Sequence, residues 1–377
     1  AGLNIRRGRG TEYDKVGFME PTHTASPLEM HGITIRKTQT AAEENQWINV
    51  DTSEGVTGFA AGWFLEARSP RSVKITNTAF NGINLDVLHP LGKPNPARLN
   101  ALTYGRFAYS VSMGRGNQDL NAAYNLYAPY ITSLNNAGMK PILVYTHQTY
   151  GEGAGFIWSR MNSSRWQELA ARLADFLRVI ARQYRGQVAA HQIWNEQDAP
   201  EGAEASVRMS AEDYAHILKV SIEAIRSEDP STPIITGGHT GGPIAGGNYA
   251  RATLAAMPSN IRPDGIAAHP YGRGPGGFPK YEIFGDIDET VQEYSQVLPG
   301  KRIWLTEWGI LNANNEPPAD VSAYATAFLN RIQQRHADKV AATIWYAWAE
   351  GMHNGYGLVN ASDQPREPLY TAYTSIK

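Results

Sequence analysis

The strongest constraint on how this chain folds is an alternation. From Val73 to the C-terminus, short apolar runs of strand length take turns with longer segments of helical period. The strand-like runs are Phe80–Leu85, Gly105–Val111, Pro141–Tyr145, Val188–Trp194, Pro233–Thr236, Gly265–His269, Arg302–Thr306 and Ala341–Trp348, eight in all. Between them, Trp166, Leu169, Leu173, Phe176, Leu177, Ile180 and Tyr184 recur at three- and four-residue steps. A Ser164/Gln167 capping pair precedes them and Gly186 ends the run. Ser210 with Asp213 opens a second helix, which carries Tyr214, Ile217, Leu218, Ile222 and Ile225 on one face, and Asp320 starts another. Pro129 is expected to delay or kink the helix near Tyr124–Asn136. This pattern predicts an α/β fold, a (β/α)8 TIM barrel over 73–377.

A doubly wound open sheet is the competing architecture, and it needs a phosphate-binding turn at a strand end. Gly272-Arg273-Gly274-Pro275-Gly276-Gly277 has the glycine spacing. No helix follows promptly, however, and Pro275 removes an amide donor from the would-be cradle. The stretch is expected instead to be a flexible loop over the active face.

Residues 1–68 read differently, with short β-type runs at Gly32–Ile35, Trp47–Val50 and Gly58–Leu65 and no sustained helical period. This is expected to be a small all-β barrel, joined by a linker at 69–72. The opening Leu3-Asn4-Ile5-Arg6-Arg7-Gly8-Arg9-Gly10-Thr11, then Trp47-Ile48-Asn49-Val50 and Gly62-Trp63-Phe64-Leu65, resemble the start, middle and end of bacterial Src-homology-3-type domains. That resemblance implies possible contact with a cell wall or glycan; the plainer alternative is a domain that only packs on its neighbour. The loop from Phe18 to His31 is long for such a barrel.

Composition narrows the function. A net charge of −2 gives no electrostatic footprint for nucleic acid or anionic membrane. There is no cysteine, so disulfides, thiolate metal sites and a cysteine nucleophile are excluded. No apolar run reaches transmembrane length. A chain opening on Ala1 is expected to be a trimmed mature product, secreted to the extracellular space in the bacterial manner.

In a (β/α)8 barrel the chemistry sits at the C-terminal ends of the strands. Arg106, His147, Asn195, Glu196, His269, Tyr271, Glu307 and Trp348 fall there. Two glutamates across the mouth suit cleavage of a glycosidic bond, which needs an acid for the leaving oxygen and a carboxylate for the oxocarbenium-like carbon. Arg106 and Tyr271 are placed to keep Glu307 ionised, whereas burial and the charge of Glu307 are expected to raise the pKa of Glu196. Asn195 can reach the hydroxyl beside the reacting carbon, and Trp348 is expected to offer a flat face to a sugar ring.

These residues resemble the clan A retaining glycoside hydrolases, including families 5 and 39. That pattern ends strand 4 with Asn-Glu, here Asn195-Glu196, and strand 7 with Glu, here Glu307. Its strand 6 His-x-Tyr is matched by His269-Pro270-Tyr271, its strand 3 His by His147 and its strand 8 Trp by Trp348. Its strand 2 Arg corresponds to Arg106, with Arg115 in the loop nearby. The resemblance implies a retaining hydrolase of β-glycosidic bonds, with Glu307 as nucleophile, Glu196 as acid/base and no cofactor. The expected partner is a β-linked oligo- or polysaccharide, cut internally. An exo-acting enzyme on short glycosides and a non-catalytic carbohydrate-binding protein are the alternatives.

Several neighbours admit plainer roles. His191 and His239 are expected to be structural, and Trp194 and Trp308 to pack behind the site. Trp345, Tyr346, Trp158, Tyr150, His353 and Asn354 are candidates for lining subsites, and the segment Leu311–Asp320 for walling the cleft. No His-x-His or His-Glu-x-x-His spacing suggests a metal. Lys140 and Lys339 lie at the wrong strand ends for a Schiff base.

Overall fold

The structure is a computed structural model that describes residues 3–7, 9, 11–19, 25–27, 47–52, 57–61, 80–99, 102–112, 118–200, 203, 206–311, 316–352 and 356–375. The chain divides into two compact units, Ala1–Thr76 and Asn77–Lys377.

The first unit carries β1 (Leu3–Arg6), β2 (Lys15–Met19), β3 (Ala25–Pro27), β4 (Trp47–Thr52) and β5 (Thr57–Ala61). They form an antiparallel sheet in the order β2-β1-β5-β4-β3. The expected run Trp47–Val50 lies in β4, and Gly58 lies in β5. Gly32–Ile35, Trp63, Phe64, Leu65 and the linker fall outside the described residues.

The second unit is built on β6 (Asn81–Asn84), β7 (Tyr104–Ala108), β8 (Lys140–Tyr145), β9 (Ala190–Ile193), β10 (Ile234–Thr236), β11 (Gly265–Ala268), β12 (Arg302–Trp308) and β13 (Val340–Trp345). Every pairing is parallel and the sheet closes on itself through β13 and β6, giving an eight-stranded barrel. Its helices are α1 (Leu120–Asn136), α2 (Ser163–Gln183), α3 (Ala211–Arg226), α4 (Gly247–Ala256), α5 (Ile287–Val297), α6 (Pro318–His336) and α7 (Leu369–Ser375). Alternate strand residues point inward. Tyr104, Ile142, Ala190, Ile235, Ala267, Trp304, Ala342 and Ile344 pack as one apolar cluster. The larger cluster fills the layer between strands and helices, with Leu143, Ile193, Ile217, Ile303 and Phe328 among its members.

Capping chemistry sets the helix starts, and three differ from expectation. Asn162, not Ser164, caps α2, because its Oδ1 accepts from the Arg165 amide at 3.0 Å. Proline's fixed φ starts α6 at Pro318, ahead of Asp320. Pro129 neither delays nor divides α1, which runs unbroken from an Asp119 cap that accepts from the amides of Asn121 and Ala122. Ser210 caps α3 as expected, accepting from the Asp213 amide at 3.1 Å.

Candidate active site

Inward alternation along β7 places Arg106 two residues beyond the apolar Tyr104, where it is 4% exposed. A guanidinium at that depth must have its donors satisfied. It donates to Asn84 Oδ1 at 2.5 Å, Gln192 Oε1 at 2.9 Å, Asn195 Oδ1 at 2.6 Å and Glu307 Oε1 at 2.7 Å. The ends of three strands, β6, β9 and β12, thus converge on one cation carried by a fourth. Asn84 is itself anchored, its amide donating to the carbonyls of Thr306 and Trp345 at 3.3 and 3.4 Å.

Glu307 is 9% exposed, and its second oxygen accepts from the Tyr271 hydroxyl at 3.1 Å. Burial and the Glu307 charge push the Tyr271 phenol far above its ordinary range, so it stays a donor. Across the mouth, Glu196 Oε1 lies 2.9 Å from His269 Nδ1, and Oε2 accepts from the Ser206 hydroxyl at 2.7 Å. His269 Nε2 lies 3.2 Å from Thr306 Oγ1. With Nδ1 protonated, the ring donates to the Glu196 carboxylate and accepts from Thr306.

The expected rise in the Glu196 pKa is not what its surroundings produce. Burial does push the carboxyl up, but the hydrogen bonds and charge of His269, the Ser206 hydroxyl and the Arg106 charge hold it below the usual glutamate range. Hydrogen bonds to the ionised form outweigh its desolvation.

The local backbone explains how Glu196 reaches this position. Trp194 has φ 73° and Glu196 φ 52°, two left-handed residues around Asn195. That region disfavours residues with a Cβ, so the fold must hold them there. The Trp194 amide donates to Tyr145 O at 2.7 Å, its indole to Val207 O at 2.9 Å, and the Glu196 amide to Gly238 O at 3.1 Å. Gly237-Gly238 makes room at the end of β10. A Cβ on Gly238 would lie 2.0 Å from His269 Nε2, and one on Gly237 would lie 2.0 Å from Gln197 Oε1.

The remaining predicted residues divide. His147 is not joined to the carboxylates; its ring sits edge-on to Trp158 at 5.5 Å and tilted to Trp194 at 6.2 Å, and burial holds its pKa down. Trp348 cannot present an open face, because it is 0% exposed and Arg98 lies over its ring at 4.9 Å. Tyr346, two residues earlier, is close enough to feel the charges of Glu307 and Arg106. Trp194 and Trp308 are both fully buried, and Trp308 stacks on Phe328 at 4.0 Å. Arg115, His353 and Asn354 lie outside the described residues. Sequence reasoning missed Asn84, Gln192, Thr306 and Ser206. The first three are polar residues in apolar strands at inward register, a signal that was legible; Ser206 sits in a loop and gave none.

The glycine-rich stretch 272–277 does not form a phosphate cradle. The amides of Gly276 and Phe278 donate to the Glu282 carboxylate at 2.6 and 3.1 Å, so an internal anion already occupies them. Glu196, His269 and Glu307 each bring one donor atom within 4.8 Å of the others. His269 Nδ1 lies 2.9 Å from Glu196 Oε1 and 3.8 Å from Glu307 Oε2, and the two carboxylates are further bonded by Ser206, Arg106 and Tyr271, so a cation there would share Glu307 with a guanidinium. No helix among the described residues is long and apolar enough to cross a membrane.

Several solved glycoside hydrolases share the fold of this chain. A family 39 glycoside hydrolase from Bacteroides cellulosilyticus WH2 aligns over 99% of this chain and 76% of its own, at 16% identity and a TM-score of 0.57. GH5_18 from Streptomyces cattleya aligns over 79% of each chain at 14% identity and a TM-score of 0.57. A GH10 endoxylanase from a sugarcane soil metagenome aligns over 80% of this chain and 99% of its own, at 12% identity and a TM-score of 0.55. At such identities the likeness is one of fold. No curated protein matches the chain in sequence. Residues 121–372 match the glycosyl hydrolase catalytic core, and that span runs from within α1 to within α7 and takes in Asn195-Glu196 and Glu307. With two carboxylates facing each other at the mouth of a closed parallel barrel, this chain belongs to the glycosyl hydrolase catalytic core family.

Proposed function

We propose that the protein is a retaining β-glycosidase in which Glu307 is the nucleophile and Glu196 the acid/base. The observation that carries this is the spacing of the two carboxylates. Their facing oxygens lie within 4.8 Å, against about 5–5.5 Å between carboxyl groups in retaining enzymes and roughly 6.5–9.5 Å in inverting ones. Oxygens this close favour direct attack by one carboxylate over attack by an interposed water.

The roles follow from what each carboxylate touches. Arg106 and Tyr271 bond Glu307 in its charged form and leave it poised to attack the anomeric carbon. Glu196 gives its proton to the departing oxygen, and the bond from the anomeric carbon to that oxygen breaks as the bond to Glu307 forms. Glu196, now a carboxylate, takes a proton from water, which displaces Glu307 and releases the sugar with its configuration retained. Asn195 is held by Arg106 beside the reaction centre, within reach of the neighbouring sugar hydroxyl.

The substrate class is a β-linked polysaccharide cut internally, outside the cell. Support comes from the sheet-forming N-terminal unit, whose opening strand and β4 carry the Src-homology-3-type resemblance and would hold the enzyme to a wall or glycan. The test is a panel of β-linked polysaccharides and aryl β-glycosides, run with wild type and Glu307→Gln and resolved by product size. Hydrolysis of one polymer to mixed oligosaccharides is expected, lost by about four orders of magnitude or more in the variant. Single-sugar release would replace internal with terminal cleavage. Near-normal turnover by Glu307→Gln would overturn the nucleophile assignment.

A further inference from the structure

We propose that Ser206 is a positioning residue for Glu196, a hydroxyl that holds one carboxyl oxygen in place as the carboxyl gains and loses its proton. The proposal rests on Glu196 being the acid/base. Ser206 belongs to the connection between β9 and α3 and is half-buried. Its Oγ donates to Glu196 Oε2 at 2.7 Å, while Oε1 is met by His269 Nδ1 at 2.9 Å. Each carboxyl oxygen therefore has its own partner, from a different part of the chain, and the carboxyl plane is fixed.

The segment that carries Ser206 is tied to the residues flanking Glu196. The Trp194 indole donates to Val207 O at 2.9 Å, and the Met209 amide donates to Gln197 O at 3.1 Å. Residues 194–197 thus hold 206–209 in place, and Ser206 in turn holds Glu196. The left-handed backbone at Trp194 is part of this closed circuit.

A neutral donor suits both halves of double displacement, because a carboxylate oxygen and the carbonyl oxygen of a protonated carboxyl both accept. Toward ionised Glu196, Ser206 donates. When Glu196 is protonated, Oε2 is its carbonyl oxygen and still accepts, so the acid proton is left free for the departing oxygen and the same contact orients the carboxyl before and after proton transfer. An ammonium in its place would add a positive charge, and would trap Glu196 as carboxylate. The hydroxyl also contributes to holding the carboxyl below its usual range, against burial.

The experiment is the pH profile of kcat/KM for Ser206→Ala and Ser206→Thr on a 4-nitrophenyl β-glycoside of the sugar identified by the panel. Glu196→Ala runs alongside on 4-nitrophenyl and 2,4-dinitrophenyl glycosides, with and without azide. Loss of a donor to the ionised form moves the alkaline limb of Ser206→Ala up by about one pH unit, whereas Ser206→Thr keeps the wild-type limb. An unmoved limb in Ser206→Ala overturns the proposal. So does an equal shift in both variants, which would trace the effect to the loop and not to the hydroxyl. If Glu196→Ala spares neither the better leaving group nor the azide reaction, the acid/base assignment falls and Ser206 falls with it. If Glu196→Ala behaves as an acid/base variant and the Ser206→Ala limb stays put, only the Ser206 proposal is lost.

Discussion

Two polar networks lie on opposite faces of the same strand. Along β9, Gln192 faces into the barrel and accepts from Arg106, while His191, one residue earlier, faces the helices. His191 Nδ1 lies 2.7 Å from the Tyr145 hydroxyl, and Nε2 faces the Asp229 carboxylate at 3.5 Å. Asp229 also accepts from the Thr232 hydroxyl and amide at 2.6 and 3.1 Å, and both His191 and Asp229 are fully buried. The two networks use similar residue types. They differ in where they end: the inner one finishes on carboxylates that reach the mouth, with 11% and 19% of the Glu307 and Glu196 side chains exposed, and the outer one is sealed. Buried polar groups alone do not identify a site; a path from them to solvent does.

The sharpest break between the two comes from Arg106→Lys. A lysine has one compact donor head and cannot meet four acceptors in the guanidinium's fixed geometry. A fall in kcat/KM of at least about 10²-fold is expected, read by initial rates on the identified substrate. Asp229→Ala should show the reverse pattern. It leaves the Thr232 and His191 groups unpaired in the sealed layer and should cost roughly 3 kcal/mol of unfolding free energy, with kcat/KM within about twofold of wild type. Urea unfolding and initial rates on one preparation check both halves. A large kinetic loss in Asp229→Ala would erase the distinction drawn here.

Acid should weaken the outer network. Burial holds the His191 pKa down, so the ring stays neutral when folded, while the unfolded chain takes up its proton as pH falls through about 6.5. The Asp229 carboxyl, with burial opposing, is held down by His191 and Thr232; its contribution is complete above the unfolded value near about 4 and is lost below it. Both groups bind more protons when unfolded, so stability falls with pH, first as pH drops through about 6.5 from His191 and then below about 4 from Asp229. Thermal midpoints of wild type and His191→Phe across this range should converge as pH falls through the first window. On the inner side, activity should move the other way: under the proposed mechanism Glu196 is protonated to act as acid, so kcat/KM should decline from acidic toward neutral pH. The smallest effect is expected for Trp348→Phe. With its ring sealed under Arg98, KM should stay within about twofold, at a cost near 1 kcal/mol in stability.

The barrel was legible because its strands repeat: all eight apolar runs correspond to strands, with ends displaced by a few residues. The two glutamates, His269 and Tyr271 were legible because strand ends in this architecture have a known destination. Helix starts were less so, since Asn162, Ser163 and Ser164 are adjacent candidates and only the hydrogen bond to Arg165 chooses among them. Trp348 misled because an aromatic residue at a strand end reads the same whether its ring meets solvent or an arginine. The direction of the Glu196 pKa was hidden for a similar reason. Ser206 is ten residues away, and nothing in the loop's composition places its hydroxyl on the carboxylate.

The left-handed backbone at 194 and 196 has a consequence for how this protein tolerates change. A glycine or asparagine would sit more comfortably at φ 52° than the glutamate that the proposed chemistry requires. Replacing Glu196 by either would relax the main chain while ending the proposed acid/base catalysis, so an inactive variant can be the sturdier molecule. Screening libraries for heat resistance alone would therefore enrich dead enzymes at this position, and glutamate would persist there only under selection for turnover.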